Sequence, residues 1–270
     1  MSINPSVIRT AHLQEFKQAG QKFSCLTSYD HLTAGIFDEA GIEVLLVGDS
    51  AANNSLGYSD TLPITVDELI IFGRAVASAT KRALVIVDMP FGSYETGEDD
   101  ALRNAIRIMK ETGADGVKLE GGVRSQEQIK HIVQAGIPVM GHVGFTPQSV
   151  NALAGYRVQG RGESAAELMS EAKAVEAAGA FAVVIEMTPA EIAGEVTRAL
   201  SIPTIGIGAG PLTDSQILVW TDFAGLNSDR VPKFVKQFAH MRTDLLKAAV
   251  AYKAEINSGL FPTAEHSFDN

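Results

Sequence analysis

Short apolar runs rich in β-branched residues alternate along this chain with longer segments of helical periodicity, the signature of repeated βα units. The runs fall at about 23–27, 43–48, 83–88, 115–120, 137–141, 181–186, 203–207 and 221–225. Eight such units predict an α/β fold, a (β/α)8 TIM barrel, and 270 residues are close to the ~250 typical of one. The last run, Thr221-Asp222-Phe223-Ala224-Gly225, is barely apolar. Three runs lead into acids: Asp49 follows Val44-Leu45-Leu46-Val47-Gly48, Asp88 follows Leu84-Val85-Ile86-Val87, and Glu120 closes Gly116-Val117-Lys118-Leu119. The C-terminal strand ends of a barrel face one mouth, so carboxylates distant in sequence converge there. Three hard oxygen donors at one mouth suit a divalent cation such as Mg2+.

Local punctuation agrees with this topology. Thr65-Val-Asp-Glu68, Ser125-Gln-Glu-Gln128, Ser164-Ala-Ala-Glu167, Thr188-Pro-Ala-Glu191 and Thr213-Asp-Ser-Gln216 all match the capping box that opens a helix, with Pro189 at a first helical position. Gly41, Gly113, Gly136 and Gly179 end helical periods and lead into strands, as glycines of positive φ do. A further helix is expected over about 232–258, followed by a tail. The whole chain, 1–270, reads as a single barrel domain with short N-terminal and C-terminal extensions. A doubly wound open sheet uses the same alternation, but eight units with one capping device after another favour the closed barrel, and the run Gly206-Ile-Gly208-Ala-Gly210 lacks the G-x-G-x-x-G spacing of a dinucleotide site and lies at the seventh unit.

With 22 basic and 32 acidic residues the formal net charge is −10, which is no electrostatic footprint for nucleic acid or anionic lipid, and a small metabolite is the expected partner. Cys25 is the one cysteine; it excludes an internal disulfide framework and reads as core packing. The first twenty residues offer no signal-peptide core, and no apolar stretch reaches the ~20 residues of a membrane span. The expected location is cytoplasmic.

Eight motifs then carry a resemblance. Val47-Gly-Asp-Ser50, Thr61-Leu-Pro-Ile-Thr65, Val87-Asp-Met-Pro-Phe91, Val117-Lys-Leu-Glu-Gly-Gly122, Gly141-His-Val-Gly-Phe-Thr-Pro-Gln-Ser149, Tyr156-Arg-Val-Gln-Gly-Arg161, Ile205-Gly-Ile-Gly-Ala-Gly210 and Glu265-His-Ser-Phe268 occur in order across the chain. Together they resemble the ketopantoate hydroxymethyltransferase family. The resemblance implies a barrel of the phosphoenolpyruvate/pyruvate superfamily type, one Mg2+ per subunit, 2-oxoisovalerate as substrate, 5,10-methylenetetrahydrofolate as one-carbon co-substrate, and a homodecamer. It implies that Asp49 and Asp88 bind the metal with Glu120 completing its shell. Ser50 and Lys118 would hold the carboxylate and keto groups of the substrate, His142 would sit beside the ketone, and Glu186 would be the base. After Gly48-Asp49-Ser50 the commoner family pattern is Leu-Gly-Met, whereas this chain has Ala51-Ala52-Asn53, which bears on side-chain preference around the 2-oxo acid.

The chemistry is coherent with these residue types. A cation bound by a 2-oxo acid acidifies the adjacent C–H, and a carboxylate at a dry strand end is a strong base for that proton. Each residue also has a plainer reading. Asp49 could cap a helix, His142 could be a bonded core histidine, and Glu186 could favour the dipole of the helix after it. Lys118 and Glu120 share a strand face, so inside a barrel they need partners. Lys118 could also form an imine, which nearby carboxylates oppose by holding its ammonium charged. The glycine-rich segment with Arg157 and Arg161 is expected to cover the mouth. A Mg2+-dependent 2-oxo acid lyase or decarboxylase of the same superfamily, with a reactive cysteine, and a silent metabolite-binding barrel are the competing functions.

Overall fold

Seven of the eight apolar runs form strands where the sequence places them. The computed structural model describes residues 2–153, 155–227 and 231–269, and it divides after Val219 into two compact units. The first unit begins α1 (Thr10–Gln18), β1 (Phe23–Thr27), α2 (His31–Glu39), β2 (Val44–Val47), α3 (Ala51–Ser55), α4 (Val66–Ala79), β3 (Leu84–Asp88) and α5 (Glu98–Thr112). It continues with β4 (Gly116–Lys118), α6 (Gln126–Gln134), β5 (Val139–Gly144), α7 (Ser164–Ala177), β6 (Ala182–Glu186), α8 (Ala190–Ala199), β7 (Thr204–Ile207) and β8 (Ser215–Leu218). The strands pair in parallel, each with the next, and β8 closes on β1. Every residue of β2 and β3 is buried, as expected for strands covered on both faces.

The eighth strand is not at 221–225. It is Ser215–Leu218, which pairs with β1 from Phe23 to Leu26, while Trp220–Phe223 is a short helix, α9. The capping pattern at Thr213 is therefore not a helix start. Asp214 accepts from the Thr204 N–H at 2.8 Å and from Lys17 Nζ at 2.8 Å, and Thr213 Oγ1 donates to Ser215 O at 2.8 Å. These bonds pull the segment into the sheet. Of the other four patterns only Thr65 builds a complete box with Glu68. Ser125 Oγ donates to Glu120 O, Ser164 is already inside α7, and Thr188 Oγ1 donates to Glu186 O, so none of the three caps its helix. Pro189 precedes the first helical residue of α8 rather than occupying it. Gly41, Gly113, Gly136 and Gly179 all adopt positive φ.

The two ends of the barrel differ in chemistry. Near the strand starts Cys25, Val44, Leu84 and Met140 join Leu13 and Phe16 of α1 in one apolar cluster, with Phe16 stacked on Phe23 at 5.7 Å. That helix closes the apolar end. The charged residues gather at the opposite strand ends. In the second unit, α9 and α10 (Met241–Ser258) flank a segment in which the Phe238 N–H donates to Phe223 O at 2.8 Å and the two rings stack at 5.2 Å. The expected helix over 232–258 thus starts only at Met241. Among the described residues no helix is long and apolar enough to cross a membrane.

Close approach fixes Gly141 in β5. A Cβ there would overlap Val175 Cγ1 of α7. Gly141→Ala is expected to lose about 1–3 kcal/mol in urea melts through overpacking, and Val175→Ala in the same chain is expected to restore much of that loss. Additive losses in the double variant would show that the contact is not the cause.

Candidate active site

Five strand ends build the site. Asp88 ends β3 and Lys118 ends β4, side by side in the barrel register. Lys118 Nζ donates to Asp88 Oδ1 at 2.5 Å, with the two side chains only 5% and 2% exposed. Asp88 Oδ2 accepts from the backbone N–H of Asp49 at 2.9 Å, which brings the end of β2 to the same point. Asp49 does not cap α3. Ser50 holds the cap position without a side-chain cap bond, and Asp49 Oδ2 instead accepts from Gln148 Nε2 at 2.9 Å. Ser50 Oγ lies 2.7 Å from Tyr29 Oη. Ala51 and Ala52 are fully buried in α3, so the departure from the commoner family pattern places small side chains beside this cluster.

The other side of the site is a line of three groups. Glu120 Oε1 lies 3.5 Å from His142 Nδ1, and His142 Nε2 lies 3.2 Å from Glu186 Oε2. Among the described residues neither ring nitrogen nor Glu120 Oε1 finds a partner in hydrogen-bond geometry, although all three atoms are buried. Glu120 Oε2, by contrast, accepts from the Gln148 N–H at 3.0 Å. Buried polar atoms without a protein partner are met in native proteins by water or an ion, or serve a catalytic role. The structure thus brings together all seven residues singled out in the sequence.

Glu186 is followed by a strained backbone. Met187, the next residue, has φ 45°, a conformation costing of order 1–3 kcal/mol in a non-glycine residue. Three bonds hold it: Met187 N–H to Ile207 O at 2.9 Å, Gln159 N–H to Met187 O at 2.8 Å, and Phe145 N–H to Glu186 O at 3.0 Å. The helix-dipole reading of Glu186 fails, since α8 begins only at Ala190 and the carboxylate points at His142. The glycine-rich loop borders these strand ends through Gln159 and through Tyr156, whose ring packs on Phe145 at 4.9 Å. Burial, then Glu186, Asp60 and Asp49, push the Tyr156 phenol up. Arg157 and Arg161 are exposed.

Burial dominates the electrostatics. It pushes Asp49 up to about 8, with Asp88 and Glu120 adding to the shift and Lys118 and Gln148 opposing it. Glu120 is pushed up to about 7 by burial, against the pull of Lys118. Burial alone would lower the Lys118 ammonium, but Asp88, Glu120 and Asp49 together outweigh it and the net direction is up. An imine-forming amine needs the reverse. Burial, then Lys118, lowers His142, which favours the neutral ring. Glu186 is raised by burial against His142, making it a stronger base than an exposed carboxylate. Cys25 is buried against Ser215 and its thiol is pushed up to about 12, so it is inert.

Among the described residues no three Asp, Glu, His or Cys side chains form a ready-made cation cage. Mg2+ rarely needs one, because it binds through one or two carboxylates and completes its shell with water and substrate oxygens. Asp49 and Asp88 are adjacent, and Glu120 Oε1 is a buried oxygen without a partner, so the donor set fits such an ion. Gln148, Tyr94 and Tyr29 were not legible as site residues. Gln148 lies inside the motif that begins at Gly141, but an amide carries no charge signature, and Tyr94 sits in an irregular loop after β3.

Residues 7–264 match the profile of the family described as Ketopantoate hydroxymethyltransferase. The 3-methyl-2-oxobutanoate hydroxymethyltransferase of Leifsonia xyli subsp. xyli is 62% identical over 267 residues, 99% of this chain and 96% of that protein. The enzyme of the same name from Corynebacterium efficiens is 58% identical over 98% of this chain and 99% of its own length. Among solved structures, phosphonopyruvate hydrolase in complex with oxalate and Mg2+ superposes with a TM-score of 0.63 at 16% identity, over 96% of this chain and 93% of that one. A 2,3-dimethylmalate lyase, described as a PEP mutase/isocitrate lyase superfamily member, gives 0.60 at 16% identity, over 97% and 92%. At such identities the likeness is one of fold.

Asp49 and Glu120 keep protons in the folded chain that their unfolded forms release near pH 4. Unfolding free energy contributed by these two groups therefore falls as pH rises from about 4 to about 8. In the presence of a chelator, the wild-type Tm is expected to drop more steeply between about pH 5 and about pH 8 than that of Asp49→Asn/Glu120→Gln. Equal slopes would mean that both acids titrate near their ordinary values.

Proposed function

This chain belongs to the ketopantoate hydroxymethyltransferase family, and on that premise we propose that it transfers a hydroxymethyl group from 5,10-methylenetetrahydrofolate to 2-oxoisovalerate, giving ketopantoate and tetrahydrofolate. The observation that carries this reading is the pair of facing groups at the mouth. The Asp88–Lys118 pair beside Asp49 stands on one side, and the line Glu120, His142, Glu186 on the other. Held by Asp49 and Asp88, with Glu120 closing its shell, Mg2+ would supply Lewis acidity toward the oxygens of a 2-oxo acid.

The protein's own groups then have distinct tasks. Glu186 takes the proton from C3 of the substrate, breaking the C–H bond and leaving its electron pair in an enolate. Its raised pKa suits that role. Lys118, kept charged by its carboxylate neighbours, stabilises the negative charge that develops on oxygen. His142, favoured as the neutral ring, carries one N–H and lies between Glu120 and Glu186, so it can orient the base beside the keto group. Ser50, fixed by Tyr29, is offered to the substrate carboxylate. The C3 electron pair forms the bond to the folate's methylene carbon as one of its two bonds to nitrogen breaks with the electrons on that nitrogen. The oxygen of one water then bonds the same carbon as the second carbon–nitrogen bond breaks, and the proton taken by Glu186 and one proton of that water end on the two nitrogens of tetrahydrofolate. The buried, inert Cys25 speaks against the cysteine-dependent lyase alternative. The same reading carries a cytoplasmic homodecamer with one Mg2+ per subunit, which the motif resemblance supports and sedimentation measures.

Deuterium exchange at C3 of 2-oxoisovalerate, followed by proton NMR in D2O, tests the chemistry without the folate. Exchange is expected to require Mg2+, to fall by about 10²–10⁴-fold in Glu186→Gln, and to be lost in Asp49→Ala/Asp88→Ala. Adding the folate donor to wild type should then yield ketopantoate. A folded, Mg2+-binding wild type that exchanges no deuterium would overturn the assignment.

A further inference from the structure

Gln148 is buried, 5% exposed, in the turn after β5, and its donors reach both acids that flank the candidate cation position. Its backbone N–H donates to Glu120 Oε2 at 3.0 Å. Its Nε2 donates to Asp49 Oδ2 at 2.9 Å and to Met89 O at 3.1 Å. Its Oε1 accepts from Tyr94 Oη at 2.5 Å. Every strong donor and acceptor of the side chain is thereby engaged.

Proton counting fixes the sense of the amide. Tyr94 Oη accepts from the backbone N–H of Glu120 at 3.3 Å, and a backbone N–H can only donate. The phenol's own proton is therefore free for Gln148, whose Oε1 lies 2.5 Å from Tyr94 Oη. A phenol donor must face the amide oxygen. The two Nε2 protons are left for Asp49 and Met89, as the distances show. The chain of donors runs one way: Glu120 N–H to Tyr94, Tyr94 O–H to Gln148, Gln148 N–H to Asp49.

The consequence is geometric. Asp49 and Glu120 each have one oxygen tied to Gln148, and each has its other oxygen outside that bond. Glu120 Oε1 is buried and finds no hydrogen-bond partner among the described residues. Two buried carboxylates sharing one site repel, and both accept from Gln148. A neutral group donating to both lowers that repulsion without placing a competing positive charge on either. We propose that Gln148 is a positioning residue that selects which oxygen of Asp49 and of Glu120 is presented to a divalent cation, and that Tyr94 locks the orientation in which it does so. This rests on the metal-dependent reading above.

Mn2+ is the probe, since its free form is read directly by electron paramagnetic resonance. The full-length protein, stripped with chelator, is titrated as wild type, Gln148→Met and Tyr94→Phe, with Tm, kcat and the Mg2+ dependence of the rate measured alongside. Gln148→Met keeps the length and volume of the side chain and the backbone N–H to Glu120, and removes the side-chain donors to Asp49 and Met89. Its Mn2+ affinity is expected to fall by about 10–100-fold, as for other outer-sphere partners of metal ligands. Tyr94→Phe should lower affinity in the same direction by a smaller factor, because it leaves the amide in place but free to turn. In both variants saturating Mg2+ should recover much of kcat. Should Gln148→Met fail to fold, Tyr94→Phe decides the question by itself. A role in packing alone would lower Tm and leave Mn2+ affinity at the wild-type value, and that result in both folded variants overturns the inference. Wild type that binds no Mn2+ would remove the metal reading and this inference together. Wild-type binding with unchanged variants would remove this one only.

Discussion

The contact between Lys118 and Asp88 is what allows so much charge to be buried at one end of this barrel. Three carboxylates, Asp49, Asp88 and Glu120, share that end with a single ammonium. An isolated ion there would cost several kcal/mol, and breaking a buried pair typically costs about 3–5 kcal/mol. Lys118 offsets one acid outright. The remainder shows in Asp49 and Glu120, whose raised pKa values mean that the fold favours their protonated, neutral forms. On the metal-dependent reading proposed above, a divalent cation would displace those protons, so the arrangement that costs stability at neutral pH would also serve its binding.

The rest of the molecule is arranged around holding that charged cluster in place. At the far end of the barrel Leu13 and Phe16 of α1 close an apolar core, which keeps water from the strand starts. At the mouth, functional side chains are fixed by something other than themselves. Asp88 is held by Lys118 and by the Asp49 N–H and Ser50 by Tyr29, and Glu186 directly precedes the strained turn at Met187. Strain of that kind persists where neighbouring bonds over-determine the backbone, as the bonds of Met187 to Ile207 and Gln159 do here. His142 lies between the two acids on its side, 3.5 Å from Glu120 and 3.2 Å from Glu186.

The barrel was legible because a parallel strand buried on both faces has to be an apolar run, and seven runs obey that rule. β8 does not. Ser215 and Gln216 are polar, and their place in the sheet comes from pairing with Phe23 and Ser24 and from bonds that Asp214 makes to Thr204 and Lys17. The capping pattern misled for a related reason. A hydroxyl near a carboxylate or amide marks a helix start only when neither finds a better partner, and Ser125 and Thr188 found backbone carbonyls at Glu120 and Glu186. The charged members of the site were readable from their placement at strand ends. Gln148 and Tyr94 were not, since neutral hydrogen-bonding groups leave no mark in composition or period.

By itself, the sequence determined the alternation of strands and helices, the positions of the acids and of Lys118, His142 and Glu186, and the motifs that align with one family. These follow from periodicities of two and 3.6 residues and from side-chain chemistry, both of which are local. Only the tertiary structure decided where the barrel closes, that Asp49 faces Gln148 rather than capping α3, and that His142 stands between Glu120 and Glu186. Those outcomes depend on distances between residues far apart in the chain, and such distances exist only once the sheet has closed.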